Sequence, residues 1–364
     1  MKTLDLDTPV LLIDADALDR NIARMKDLTG AAGVQYRPHA KTHKSAVIAQ
    51  KQIDAGAIGI CCAKLGEAEV MAAAGIDNIL ITTAVVGESK IFRLLHALNN
   101  VRIAVVADNE DNINMLARMA QLGGQQLDVM VEVDIGQGRC GVPPGPEAAR
   151  LAQIIDALPN LNFAGIQGYQ GKIQMVEDAD TRKADTAVGL DKFAATLAEV
   201  HKTGLSVQIK TGGGTGTSPF DMERGLLTEL QTGSYVFMDS RYGGIGWPGA
   251  NAPPFEQSLH ILTSVVSKPT PDRVIVDAGL KSASSDHGPP VIAGIEGRTY
   301  EFGGDEHGII RMTDGGEVPW NVGDKLRLIP SHCDTTVNLY DQYMVVQGED
   351  VVDVWQVYTR GRVQ

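Results

Sequence analysis

Eight short apolar runs, each followed by an Ala-rich stretch, constrain this chain more than any other feature. They are VQYRPH (34–39), AIGICCA (57–63), NILIT (78–82), RIAVVAD (102–108), LDVMVEVD (127–134), NFAGIQGY (162–169), SVQIKTG (206–212) and ELQTGSYVFM (229–238). Consecutive runs begin 21 to 44 residues apart, which leaves room for one helix and its turns in each gap. Segments between them, such as LGEAEVMAAAG and NEDNINMLARMAQLGG, carry apolar residues at helical spacing and glycine near the stop. The runs show little polar alternation, as expected of parallel strands buried on both faces. Eight such units predict a (β/α)8 barrel. An open doubly wound sheet is the competing reading, because periodicity cannot show closure.

The texture changes after about residue 245. LHILTSVVS, RVIVDAG, PPVIAGI, DKLRLIPSH, QYMVVQG and VVDVWQVY follow one another with turn residues between. That pattern predicts an antiparallel β domain of roughly 110 residues. The opening TPVLLIDADALDRNIARM reads as a strand followed by an amphipathic helix. The expected division is therefore 1–24 for the opening strand and lead-in helix, 25–244 for the barrel and 245–364 for the β domain.

The chain has 32 Lys and Arg against 45 Asp and Glu, a net charge of −13. Such an acidic balance argues against nucleic acid or an anionic membrane as partner. No run approaches the ~20 apolar residues needed to span a bilayer, and the start has no apolar signal core. The adjacent Cys61 and Cys62 would make an awkward disulfide. A cytoplasmic enzyme is expected.

In a parallel barrel the working residues sit at the C-terminal ends of strands. The first run ends in Arg37-Pro38-His39-Ala40-Lys41-Thr42-His43-Lys44. An isolated Lys would read as surface, but basic groups and histidines this dense normally meet an anion. A Lys partly out of water can also serve as a Schiff-base amine. The seventh run ends in Thr211-Gly212-Gly213-Gly214-Thr215-Gly216-Thr217, and the eighth contains Gly233-Ser234-Tyr235. Bare N–H groups and hydroxyls after strands seven and eight suit a phosphate. A G-x-x-x-x-G-K-S/T loop is absent, as is a G-x-G-x-x-G turn after the first strand.

The fifth run ends in EVDIGQGRCG, where glycines around Arg139 suggest close backbone approach to a planar or charged group. The sixth ends at Tyr169, whose face could stack on a ring. In the β domain, His332 and Asp334 lie two apart in Ser331-His332-Cys333-Asp334. On a strand both would point the same way, and imidazole with carboxylate suits Mn²⁺, Mg²⁺ or Zn²⁺. A plain His–Asp hydrogen bond is the equal alternative for that pair alone.

Taken together, RPHAKTHK, EVDIGQGRCGV, GIQGYQG, TGGGTGT, ELQTGSYVFMD, DAGLKS, DEHG and SHCDTTVNLYD resemble the metal-activated pyridoxal-phosphate enzymes of the D-threonine aldolase group. Their relatives are D-3-hydroxyaspartate aldolase and D-serine dehydratase. The resemblance runs from about residue 8 to residue 360. It implies the alanine-racemase-like fold, called fold type III, in a homodimer with its active site at the interface.

Carried over by residue, the resemblance gives Lys41 as the cofactor's anchor and Tyr169 as the side chain stacking on its ring. Arg139 would lie near the ring or its phenolate oxygen. Thr211, Gly213, Gly214, Thr215, Gly233, Ser234 and Tyr235 would form the phosphate site. His332 and Asp334 would hold a divalent cation (Mn²⁺, Mg²⁺, Zn²⁺ or Co²⁺). The implied reaction is retro-aldol cleavage of a β-hydroxy-D-amino acid to glycine and an aldehyde. The alternative is a dehydratase giving a keto acid and ammonia; a racemase or a non-catalytic pyridoxal-phosphate carrier is a weaker expectation.

One departure from the family stands out. The aldolases often continue from the stacking Tyr to Gln-His, where this chain has Gln174-Met175. A thioether accepts no proton near neutrality, so the base must be metal-bound hydroxide, His43 or Lys172. Asp334 keeps the aldolase-like metal pair, where dehydratases usually have Cys.

Overall fold

The structure, a computed structural model, describes residues 1–364 except Leu98, Asn100 and Asn251. It opens with β1 (Val10–Asp14) and α1 (Ala15–Ala32). The eight repeated runs become β2 (Gln35–Tyr36), β3 (Ile60–Cys62), β4 (Ile79–Ile81), β5 (Ile103–Ala107), β6 (Leu127–Val133), β7 (Leu161–Gly168), β8 (Ile209–Gly212) and β9 (Glu229–Leu230). Between them lie α2 (Ala46–Asp54), α3 (Leu65–Ala73), α4 (Glu88–Ala97), α5 (Glu110–Gly123), α6 (Pro146–Ala157), α7 (Ala179–Lys202) and α8 (Ser218–Arg224).

All eight strands are parallel, in the order β2-β9-β8-β7-β6-β5-β4-β3. The two ends of that order are joined as well. His39 bridges Cys61 in parallel, the Ala40 N–H donates to the Cys61 carbonyl at 2.8 Å, and the Cys61 N–H donates to the Pro38 carbonyl at 2.9 Å. Closure therefore favours the barrel over the open sheet. Its interior holds a cluster of Cys61, Leu80, Val106 and Met130. Cys61 thus serves as a core hydrophobe, and Cys62 is likewise buried.

The chain then continues through α9 (Ser240–Gly244) into β10 (Leu259–Thr270), β11 (Arg273–Val276), β12 (Val291–Ile292), β13 (Arg298–Phe302), β14 (Gly308–Met312) and β15 (Lys325–Ile329). The last elements are α10 (Cys333–Val337), β16 (Gln342–Gln347) and β17 (Asp350–Gln356). These strands form a second sheet, β13-β14-β11-β10-β1-β16-β17, with β15 pairing both β10 and β12. It is antiparallel except where β1 runs parallel to β16, with Leu11 opposite Tyr343 and Ile13 opposite Val345. Leu6, Val10, Leu12, Leu262 and Val346 form part of its core.

Two compact units follow from these contacts. One is Met25–Lys41, Ala46–Gly233 and Arg362–Gln364; the other is Met1–Arg24, Thr42–Ser45 and Ser234–Gly361. The expected division at 244/245 thus moves back to Gly233/Ser234. The eighth run explains the shift: only Glu229–Leu230 is strand, and Ser234–Val236 is a 3-10 turn. No helix among the described residues is long and apolar enough to cross a membrane.

Candidate active site

Strand register builds the barrel's site. Val133 lies opposite Gly168, Gly168 opposite Gly212, and Gly212 opposite Leu230. The residues that follow these strands therefore leave one rim at one level. Tyr169 comes directly after β7, the Arg139 loop after β6 and the Gly-rich turn after β8. Lys41 follows the closing bridge at His39 and is half-buried.

His39 secures the Lys41 backbone. Its Nδ1 accepts the Lys41 N–H at 3.4 Å, while Nε2 lies 3.1 Å from the Thr82 hydroxyl. Two other basic residues of this segment, Arg37 and His43, have structural roles, which corrects the expectation of one anion-binding cluster. Arg37 is buried in a two-pronged pair with Glu229, at 2.9 and 3.1 Å. His43 is fully buried in the other unit, its Nδ1 accepting the Ser45 N–H at 3.2 Å and its carbonyl accepting the Tyr343 hydroxyl at 2.6 Å.

Arg139 and Tyr169 lie close to one another. The exposed guanidinium lies 5.8 Å from the centroid of the half-buried ring. The two loops are braced by their own polar groups. Asp134 accepts the N–H groups of Gly136 and Gly138, both at 2.9 Å. The Gln137 side chain accepts those of Gly171 at 2.6 Å and Lys172 at 3.1 Å. Glu132, buried inside the rim, has its carboxyl pushed up to about 7 by burial and by neighbouring Asp108.

The Gly-rich turn is less bare than its sequence suggested. Gln174 Oε1 accepts the N–H groups of Gly216 at 3.0 Å and Thr217 at 3.2 Å. Its Nε2 donates to the Thr217 hydroxyl at 3.0 Å and the Gln170 carbonyl at 3.1 Å. The Gly214 N–H donates to the Thr217 hydroxyl at 3.2 Å, which itself donates to Asp221 at 2.7 Å. Gln174 thus ties the turn after β7 to the turn after β8. Thr211 faces inward, its hydroxyl accepting from Gln231 at 3.0 Å. A primary amine, a cation beside an aromatic face and a braced hydroxyl-bearing turn on one rim fit the donor set of an aromatic aldehyde phosphate.

In the other unit, Gly233's neighbours Ser234 and Tyr235 are buried, and the Tyr235 ring lies 5.4 Å from that of Phe255. His332 and Asp334 do not lie on a strand. β15 stops before Pro330, which has no N–H to continue the ladder. His332 is then the N-cap of α10, and Asp334 sits in its first turn. Alternation cannot be used for that pair.

The structure brings other groups to His332. Its Nδ1 is 2.6 Å from Asp286 Oδ2, and its ring stacks on that of His287 with centroids 4.3 Å apart. Asp286, His287 and His332 present ligand atoms all within 4.8 Å of one another, a set whose chemistry fits a divalent cation. Asp239 anchors this segment from below, accepting the Tyr242 N–H at 2.9 Å and the Cys333 N–H at 3.2 Å.

Residues 13–241 match the family described as alanine racemase, N-terminal domain, and residues 258–346 match the putative serine dehydratase domain. A D-threonine aldolase from Arthrobacter is 43% identical over 98% of this chain and 93% of its own. A 3-hydroxy-D-aspartate aldolase from Paracoccus denitrificans is 39% identical over 100% of this chain and 94% of its own. The crystal structure of D-threonine aldolase from Filomicrobium marinum superposes with a TM-score of 0.96 at 39% identity, covering 99% of this chain and 98% of that one. The chain belongs to the alanine racemase N-terminal-domain family, and over its whole length to the lyase branch that holds D-threonine aldolase and 3-hydroxy-D-aspartate aldolase.

Proposed function

We propose that the protein is a pyridoxal-phosphate- and divalent-cation-dependent lyase that cleaves β-hydroxy-D-amino acids of the D-threonine type to glycine and an aldehyde. The observation that carries this reading is the likeness to a D-threonine aldolase over 98% of the chain, which takes in both units. Lys41 would anchor the cofactor, Tyr169 and Arg139 would face its ring, and Gly213, Gly214, Thr215, Gly233, Ser234 and Tyr235 would meet its phosphate. His332 and Asp334 would hold the cation. When bound, pyridoxal phosphate would supply an electron sink for Cα–Cβ cleavage, and the cation would supply a Lewis acid for the substrate's β-hydroxyl.

The chain's own residues prepare the rim for this work. His39 holds the Lys41 backbone, Asp134 and Gln137 hold the loops of Arg139 and Tyr169, and Gln174 holds the phosphate turn. Met175 takes no part in proton transfer. Of the two side chains considered as base, His43 is sealed in the core, whereas Lys172 is exposed on the turn after Tyr169. Lys172→Met is therefore expected to lower turnover more than His43→Asn does in folded protein.

A dehydratase is the second reading, favoured by Met175 and by the serine dehydratase match over residues 258–346. Supplying D-threonine, D-phenylserine, D-serine and D-3-hydroxyaspartate with and without Mn²⁺ separates the two. Glycine plus aldehyde is expected; keto acid plus ammonia would overturn the aldolase reading. Lys41→Ala is expected to abolish the near-visible absorbance of bound cofactor. We further propose a cytoplasmic homodimer; light scattering tests the stoichiometry.

A further inference from the structure

We propose that Asp286 is a positioning residue for the cation site: it fixes the His332 ring so that Nε2 is the nitrogen offered to the metal. This inference rests on the divalent cation proposed above and adds a residue and an atom to it. The carboxylate is held by three contacts. Oδ2 lies 2.6 Å from His332 Nδ1, while Oδ1 accepts the Ser284 hydroxyl at 2.7 Å and the Thr335 hydroxyl at 3.0 Å.

The loop that carries Asp286 is itself fastened to the start of α10. The Ser331 hydroxyl donates to the Gly288 carbonyl at 2.7 Å, and the Thr336 hydroxyl accepts the Ser284 N–H at 3.2 Å. An imidazole whose Nδ1–H is held by a carboxylate is fixed in tautomer and orientation and is made a more basic ligand.

The test is metal titration of the holoenzyme, read without turnover. Mn²⁺ binding is followed by loss of the free-ion electron paramagnetic resonance signal, and saturating Co²⁺ by its visible spectrum. Asp286→Asn is expected to weaken Mn²⁺ binding roughly 10- to 100-fold while leaving the Co²⁺ spectrum at saturation and the cofactor absorbance unchanged. Thr335→Val, an exposed change that removes one support of the carboxylate, is expected to weaken binding a few-fold and guards against a folding defect. Unchanged Mn²⁺ affinity in both variants would overturn the positioning role. A changed Co²⁺ spectrum in Asp286→Asn would overturn it too, by making Asp286 a ligand. If the wild type takes up no Mn²⁺, or His332→Ala binds it undiminished, the metal assignment under the proposed function fails instead.

Discussion

Asp221 carries a carboxylate into the interior of the Gly-rich turn, where the Thr217 hydroxyl is its hydrogen-bond donor. Burial pushes its carboxyl up from an ordinary 3.8 to about 7, although the Thr217 bond pulls the other way. The folded chain therefore holds this proton over a range where the unfolded chain has lost it. The resulting stabilisation is full below about pH 4 and disappears as the pH rises through about 7. Asp221→Asn, which stays neutral, should gain thermal stability relative to wild type as pH climbs from 4 to 8. The rise from 3.8 to about 7 sets a ceiling of about 4 kcal/mol on the gain. Thermal midpoints across that range check the sign: a gap that stays constant would mean the carboxyl titrates normally. Residues of this kind were not legible in the sequence. Lys41, Arg139 and Tyr169 could be found because a strand end marks them. Gln174 acts on Thr217 from 43 positions away and Asp286 on His332 from 46, and no local pattern announces such a partner.

The turn between β8 and α8 shows what an element demands of its glycines. A Cβ on Gly216 would lie 1.9 Å from the Gln174 carbonyl, a backbone atom that cannot step aside. Gly216→Ala must therefore displace the turn itself. Gln174→Ala leaves the turn's sequence intact but strips two buried N–H groups of their acceptor, at about 1–3 kcal/mol each. Both variants are expected to bind pyridoxal phosphate at least about tenfold more weakly, with Gln174→Glu intermediate because it keeps the acceptor. Reconstitution of cofactor-free protein followed by absorbance measures this. Equal affinity in Gln174→Ala would show that the brace does not shape the phosphate turn.

Elements themselves were legible where burial was two-sided. Seven of the eight barrel strands lie within the apolar runs, down to the two-residue β2 and β9, and β7 begins one residue ahead of its run. The eighth run misled because an uninterrupted buried stretch has no period to separate strand from turn. β13 and β14 escaped notice for the opposite reason. Burial does alternate along Arg298–Phe302, but only Tyr300 is fully buried and Arg298 takes one of the inward positions, so five residues give too short an apolar pattern to stand out.

At the scale of the whole chain, the two units are not consecutive. Met1–Arg24 and Thr42–Ser45 belong with Ser234–Gly361, so the β unit is assembled from three pieces with most of the barrel inserted between them. Nothing in the sequence marked 42–45 as belonging with the β unit. β1 is an interior strand of its sheet, pairing β10 on one side and β16 on the other. Leu11, Leu12 and Ile13 are at most 1% exposed. At ~1.5–3 kcal/mol for each buried side chain, these three alone contribute on the order of 5–9 kcal/mol. That is comparable to the ~5–15 kcal/mol stability of a typical domain. Residues 234–361 produced alone should therefore stay unfolded, with poor amide dispersion by NMR. Joining 1–24 to 234–361 through a flexible Gly/Ser linker restores β1 in its native chain order and should recover a dispersed spectrum. The recovered unit should remain less stable than in the full chain, because the Tyr343 hydroxyl and the Thr359 N–H lose the carbonyls of His43 and Lys44. Cooperative folding of 234–361 by itself would mean that β1 is an addition to this sheet and not integral to it.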